Sequence, residues 1–383
     1  LTKTLSVDDA VQIALVNNPG LQATYYELGV AEADLVQAGR LPNPRLASLR
    51  TTRGGEVSKI EQSIGFEVIG MLTMPLRQRI EARRFEAVQR EVARNALAVA
   101  SQTEKAYYGA VASVQTVKYL EQVKASAEAS AELARRMAAA GNFSKLAQMR
   151  EHLFYAETVA QLARAQQGAV AERERLARLM GVSGEASAFA LPERLPELPA
   201  ARPPARDFET EAMQARLDIQ ASRRETQALA DSLGLTKATR FINALQVGRA
   251  RTREGEDPYA YGYEIALEIP LFDWGSARVA RAESMYMQSV QRLTDTALAA
   301  RSEVREAYTF FATAYDTARH YRDEIVPLRK KISDENLLRY NGMLISVFEL
   351  LADAREQVNA VNAYLDALRD YWVADAELRA ALT

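Results

Sequence analysis

Two stretches of this chain are too long and too free of helix breakers to be ordinary globular helices. From about Leu76 to Ala140 there is one glycine, Gly109, and no proline; from about Ala277 to Asn341 there is one proline, Pro327, and no glycine. At about 1.5 Å per residue, roughly 65 residues span on the order of 100 Å, whereas the usual globular helix has roughly 10–14 residues. Such a helix cannot bury its apolar stripe within one compact domain, so it demands a coiled-coil-like assembly. Alanine is dense along the first, as in Ala96–Ala112 and Ala125–Ala140. Small residues let helices approach closely, as a wall of laterally packed helices requires.

The same layout occurs twice, about 200 residues apart. Ala106-Tyr107 matches Ala307-Tyr308, and Gly141 matches Gly342. A period this long is no solenoid unit, which repeats every roughly 20–50 residues; it predicts a duplicated half and a pseudo-symmetric whole. The first repeat covers 1–190: helices, a β-hairpin over about 45–70, a long helix over about 76–140 and a second helix over about 144–181. A Pro-rich connector follows over 191–206, holding five of the twelve prolines, and is read as extended. The second repeat covers 207–383: a helix, a hairpin over about 241–270, a long helix over about 277–341 and a second helix over about 346–382. At the start, Ser6 and Asp9 form a capping-box pattern, Asn17-Asn18-Pro19 interrupts the first helix, and Leu41-Pro-Asn-Pro44 ends the next.

The clearest strand is Tyr259–Ile269. Tyr259, Tyr261, Tyr263, Ile265, Leu267 and Ile269 alternate with Ala260, Gly262, Glu264, Ala266 and Glu268, a strict period of two. In 60–68, Ile60, Ile64, Phe66 and Val68 alternate with Glu61, Ser63, Gly65 and Glu67. Their hairpin partners fall near Arg45–Thr52 and Phe241–Arg251, and Pro75 and Pro270 close the strands. A soluble half-buried sheet gives the same alternation. A tilted strand, however, crosses a bilayer in about 9–11 residues, and aromatic residues gathered at a strand end suit an interfacial girdle. Four strands cannot close a barrel, since the smallest need about eight. A spanning sheet would therefore have to be completed by other copies of the chain.

With 48 basic and 50 acidic residues and a net charge of −2, nothing draws the chain to nucleic acid. Cysteine is absent and only His152 and His320 are histidines, which leaves little for thiolate, disulfide or histidine chemistry. No nucleotide-binding glycine loop, His-Glu-x-x-His or nucleophile elbow occurs, and no acid–base constellation emerges, so no enzyme, cofactor or metal is expected. Met71, Met74, Met285 and Met287 raise a metal path, but methionine at this density normally fills packing gaps. No apolar run of about 18 residues makes a transmembrane helix, which leaves β-barrels open. The start at Leu1 carries no signal peptide, consistent with a cytoplasmic protein or with a processed or trimmed form.

Five stretches carry a resemblance: Ala10–Ala23, Leu41-Pro-Asn-Pro44, Glu268-Ile-Pro-Leu-Phe-Asp-Trp-Gly-Ser-Ala-Arg278, Gly141-Asn-Phe-Ser-Lys-Leu146 and Leu351-Ala-Asp-Ala-Arg-Glu-Gln357. Over nearly its whole length the chain resembles the TolC-type outer membrane factors, the exit ducts of tripartite efflux pumps and type I secretion systems. The resemblance implies a mixed, mainly α fold. Each protomer of a homotrimer would give four strands to a shared twelve-stranded transmembrane β-barrel and its helices to a periplasmic α-barrel tunnel. It also implies the outer membrane of a Gram-negative bacterium, with outer membrane lipid, a periplasmic adaptor protein and an inner-membrane transporter as partners.

The family narrows its tunnel near the turn between long and second helices. The matching acids here are Glu349 and Asp353, four residues apart on one helix face; a trimer would make them a ring of six carboxylates, a candidate periplasmic gate favouring cations. Ordinary solvated charges give the same spacing. Glu61, Glu67, Glu264 and Glu268 would line a barrel lumen, or simply face water in a soluble sheet. Gly141 and Gly342 mark the turns where the adaptor would dock. The competing class is a soluble coiled-coil scaffold with a small β-domain; within the duct class, type I protein secretion competes with drug or metal efflux.

Overall fold

The computed structural model describes residues 4–184, 188–202, 207–242 and 244–383, without the side chains of Val347 and Phe348. Residues 203–206 of the expected connector and 243 of an expected strand lie outside the described residues. The elements run α1 (Val7–Asn17), α2 (Pro19–Ala38), β1 (Arg45–Arg53), β2 (Glu56–Glu67), α3 (Val68–Ala139) and α4 (Lys145–Leu179). They continue α5 (Phe208–Ala215), α6 (Leu217–Ala238), β3 (Leu245–Glu254), β4 (Ala260–Leu267), α7 (Ser276–His320), a π turn (Tyr321–Ile325), α8 (Val326–Asn341) and α9 (Val347–Ala381). The order of two helices, two strands, a long helical stretch and a final helix thus occurs twice. Chain contacts divide the molecule into one unit of 1–23, 95–216 and 300–383 and another of 24–94 and 217–299. Each unit draws on both halves.

Local chemistry sets the element ends. Ser6 Oγ accepts the Asp9 N–H at 3.1 Å, and the Ser6 N–H donates to Asp9 Oδ2 at 3.3 Å, a complete capping box. The helix α3 starts at Val68, well before the Pro75 break, because the Glu67 carboxylate accepts the Gly70 N–H at the first turn. Pro75 then sits inside the helix, at the cost of one bond to a carbonyl four residues back. Pro327 has a different outcome. It lies in the first turn of α8, directly after the π turn. The wider turn accommodates a ring that would otherwise collide with the carbonyl of residue 323. The strand β3 starts at Leu245, four residues later than Phe241, and β4 stops at Leu267.

In the first unit the core is an aromatic and alanine cluster. Tyr315 and Tyr371 are 1% and 2% exposed, and Ala106, Ala110, Ala314, Ala318 and Ala374 are buried beside them. Tyr371 packs edge-on to Tyr315 and Trp372 at 5.7 and 5.1 Å, and Tyr108 stacks on Trp372 at 5.3 Å. Such pairs add about 0.5–1.5 kcal/mol each beyond burial. Ala106, Tyr107 and Ala307 of the two repeat anchors belong to this cluster, and Tyr308 packs against it.

The described part of the connector, 191–202, has no helix or strand, yet it is strapped down. The Trp372 indole donates to the Pro196 carbonyl at 3.0 Å, Arg322 to the Leu198 carbonyl at 3.1 Å and the Tyr315 hydroxyl to the Pro199 carbonyl at 3.2 Å. Gln115 Oε1 accepts the Leu195 N–H at 2.9 Å. Leu195 and Leu198 are buried in the same cluster.

The second unit holds one antiparallel sheet in the order β1-β2-β3-β4. The two hairpins join through β2–β3, where Gly65 opposes Gly248. At the entry to α7, Asp273 Oδ1 accepts the Gly275 N–H at 2.8 Å. Gly275 has φ 72°, and a Cβ there would lie 2.7 Å from the Arg240 carbonyl oxygen, so no other residue fits.

Burial raises the phenols of Tyr108 and Tyr371 from the ordinary 10.0 to about 12. Protons held more tightly in the folded state give stability that is present below about pH 10 and lost as pH rises towards about 12. Alkaline titration followed by circular dichroism is expected to show loss of helix across that window, and Tyr371→Phe to blunt it.

Candidate functional site: helix turns and a two-faced sheet

Both turns between long and second helices are closed by the same hydrogen-bond pattern. After α3, the Asn142 N–H donates to the Met137 carbonyl at 3.0 Å and the Gly141 N–H to the Ala138 carbonyl at 3.1 Å, with Gly141 at φ 80°. After α8, the Leu344 N–H donates to the Arg339 carbonyl at 2.8 Å and the Met343 N–H to the Tyr340 carbonyl at 2.9 Å. Here Gly342 has φ −81° and the left-handed residue is Met343, at φ 58°. The conformational counterpart of Gly141 is therefore Met343, one residue beyond the glycine that matches it in sequence. A left-handed residue with a side chain costs roughly 1–2 kcal/mol. Met343 and Leu344 also stand 93% and 78% exposed, an apolar knob at the turn.

The next turns of helix carry the acids. Ser144 and Ser346 cap α4 and α9, the latter through the Glu349 N–H at 3.4 Å. Glu349 is exposed, whereas Asp353 is buried and its Oδ2 has no hydrogen-bond partner. Two residues on, Arg355 crosses to α4. Its Nη2 donates to Glu151 Oε1 at 3.2 Å and to the Arg150 carbonyl at 3.1 Å, and its guanidinium lies 4.6 Å from the Phe154 ring centre. Glu151 is 2% exposed and also accepts from Ser130 Oγ at 3.1 Å. One arginine thus ties the second-half helix to the first-half helix through a buried carboxylate. The sequence reading placed weight on Glu349 and Asp353 and missed Glu151. A signal was present: Glu151 falls on the helical stripe of Ala147, Thr158 and Leu162, all buried.

The strand register sorts side chains to two faces. On one lie Leu46, Ile60, Ile64, Phe66, Val247, Tyr261, Tyr263, Ile265 and Leu267; on the other Glu61, Ser63, Gly65, Glu67, Gly248, Ala250, Gly262, Glu264 and Ala266. The apolar face is open: Leu46, Tyr263 and Ile265 are 78%, 86% and 71% exposed. Phe272 and Trp274, just past β4, are exposed as well. Aromatic residues therefore flank the aliphatic rows on both sides. Of the four expected lining acids, Glu61 pairs with Lys59 on the same face, Glu67 caps α3 and Glu264 is exposed. Glu268 lies just beyond β4, its N–H bonded to the Ala244 carbonyl at 3.2 Å. Met285 and Met287 stand exposed on α7, and no cluster of three His, Asp or Glu gathers among the described residues. No described helix is long and apolar enough to cross a membrane.

No protein-family model and no curated protein matches the chain. Solved structures do match it over 98% of its length. A membrane protein from Pseudomonas aeruginosa superposes with a TM-score of 0.85 at 18% identity, covering 92% of that chain. The outer membrane protein VceC from Vibrio cholerae gives 0.83 at 17% identity over 95% of that chain. The open state of the MtrE outer membrane channel of Neisseria gonorrhoeae gives 0.83 at 17% identity over 88% of that chain. The fold is therefore that of the outer membrane channels, as the TolC-type resemblance implies.

Replacing Met343 by glycine is expected to relieve the left-handed strain by about 1 kcal/mol, slowing hydrogen exchange at the turn by about fivefold. Glu151→Ala strands a partly buried guanidinium, at a cost of roughly 1–3 kcal/mol. Exchange in the first turns of α9 is expected to rise in that variant and to stay unchanged in Glu349→Ala.

Proposed function

We propose that this chain is one protomer of a trimeric outer membrane exit duct that passively conducts substrates delivered by a periplasmic adaptor and an inner-membrane transporter. One observation carries the reading. A four-stranded sheet exposes one face that is aliphatic and aromatic towards its helix end and carries arginines towards the hairpin turns, and another of glutamates and small residues, with both edge strands open. In water the first face would be a large sticky patch. Against lipid it is at home, and the second face suits a lumen. Three copies supply enough strands to close a barrel. The fold shared with outer membrane channels supports the same reading, as does its implication of an outer membrane location.

In this duct the helix turns at Gly141 and at Gly342–Met343 meet the adaptor, and the exposed Met343 and Leu344 are the apolar contacts. Glu349 stands at the narrow end as the accessible member of the acidic gate, with Asp353 behind it. Glu264, with the Lys59-paired Glu61 and the α3-capping Glu67, lines the upper lumen.

Purified protein is expected to run as a trimer by mass and to give small, cation-preferring channels in planar bilayers. Glu349→Ala with Asp353→Ala is expected to lower cation preference and raise conductance, with Glu349→Ala accounting for most of the change. A monomer that never inserts would overturn the duct; unchanged selectivity in the double variant would overturn the gate alone.

A further inference from the structure

The apolar face of the sheet does not stay apolar along its length. Positions on that face of β3 run Leu245, Val247, Arg249, Arg251, Arg253 from the helix end towards the hairpin turn. Neighbouring rows lie about 6.8 Å apart along the strand, so the change from aliphatic to cationic is abrupt. Arg50 on β1, opposite Ile60 and thus in the Arg253 row, adds a fourth charge. Of the carboxylates on the paired strands, Glu61, Glu67, Glu254 and Glu264 fall on the other face by the same register, and Glu56, past the register shift, opposes Arg53. Among the described residues none of the four arginines forms an ion pair. Their contacts are with tyrosines and an amide. Arg249 lies 6.0 Å from the Tyr261 ring centre, Arg251 and Arg253 lie 4.9 and 5.4 Å from that of Tyr259, and Arg251 Nε donates to Gln62 Oε1 at 2.8 Å.

We propose that this arginine ladder binds the phosphate groups of lipid headgroups in the leaflet that meets the hairpin turns. The proposal rests on the membrane-spanning reading of the sheet. Arginine on a lipid-facing strand costs roughly 2–4 kcal/mol at the bilayer midplane but little near the interface, so the row of Arg253 and Arg50 at the hairpin end marks headgroup depth, with Arg251 and Arg249 on the rows leading up to it. Guanidinium groups held on tyrosine faces leave N–H donors without a carboxylate partner, the Nη donors of Arg251 included although its Nε is taken by Gln62, and such donors take phosphate oxygens. A phosphorylated glycolipid, with several phosphates on one headgroup, suits a ladder better than a single-phosphate lipid. Sorting of the carboxylates to the other face removes the internal competitors.

The test is retention of bisphosphorylated lipid A by the detergent-purified full-length protein, measured by native mass spectrometry against phosphatidylcholine. Wild type is expected to prefer lipid A. Each basic residue at an anionic surface contributes about fivefold, so Arg249→Gln/Arg251→Gln/Arg253→Gln should lose on the order of a hundredfold of that preference. The matching triple lysine variant should recover part of it, and Glu264→Gln on the opposite face should change nothing. Planar-bilayer conductance of the glutamine variant should match wild type, which separates loss of the ladder from loss of the duct. Undiminished lipid A binding in the glutamine variant, equal retention of phosphatidylcholine by wild type, or displacement of lipid A by millimolar inorganic phosphate would each overturn the assignment.

Discussion

Everything in this fold follows from backbone hydrogen bonds that one chain leaves unmade. The sheet ends at β1 on one side and β4 on the other. The outward N–H and C=O groups of an open edge strand find no partner within the sheet. In water such an edge is an aggregation hazard; in hydrocarbon each unpaired group costs several kcal/mol, and only closure removes the cost. The long helices pose the same problem in apolar form, since a single helix of 72 residues has more stripe than its own chain can cover. Copies of the same surface would meet both demands, which makes rotational assembly the economical answer.

The duplication explains how the two demands stay matched. Each half brings its hairpin and its long helix as one continuous run, with the strand-to-helix junction set locally: Glu67 caps α3, and Asp273 with Gly275 turns the chain into α7. In the first half β2 runs into α3 without a break, so a change in strand register there is carried directly into the helix that follows. The halves are nevertheless not interchangeable. The first closes its helix turn on a glycine and the second on a strained methionine. The first supplies the buried acid and the second the arginine that reaches for it.

Much of this was legible from residues alone, because the strongest signals are local. The absence of breakers marked the long helices, the period of two in 259–269 marked β4, and Ser6 with Asp9 marked the first cap. The misplacements share one cause, which is that a strong neighbour overrules a breaker. Pro75 looked like a helix start, but Glu67 had already nucleated the helix. Pro327 was tolerated because the preceding turn widens. Gly342 was expected to mark the second turn, and the left-handed residue there is Met343, one position on. The tip acids show the limit of spacing arguments. Glu349 and Asp353 are four apart, but one is exposed and the other buried, and the buried carboxylate that an arginine of α9 reaches, Glu151, lies in the other half of the sequence. Arginines on alternate positions of β3 were equally visible, but only the register with β2 and β4 shows that Glu61, Glu67, Glu254 and Glu264 lie on the opposite face.

The strap across the aromatic core carries one more consequence. Trp372, Arg322 and Tyr315 hold it by the carbonyls of Pro196, Leu198 and Pro199, and a carbonyl is common to every residue type. The core therefore measures the strap like a ruler, by spacing between oxygens and hardly by the side chains attached. Such a segment tolerates drift in its letters but not in their number: one inserted residue between 196 and 199 would move the oxygens off their donors together.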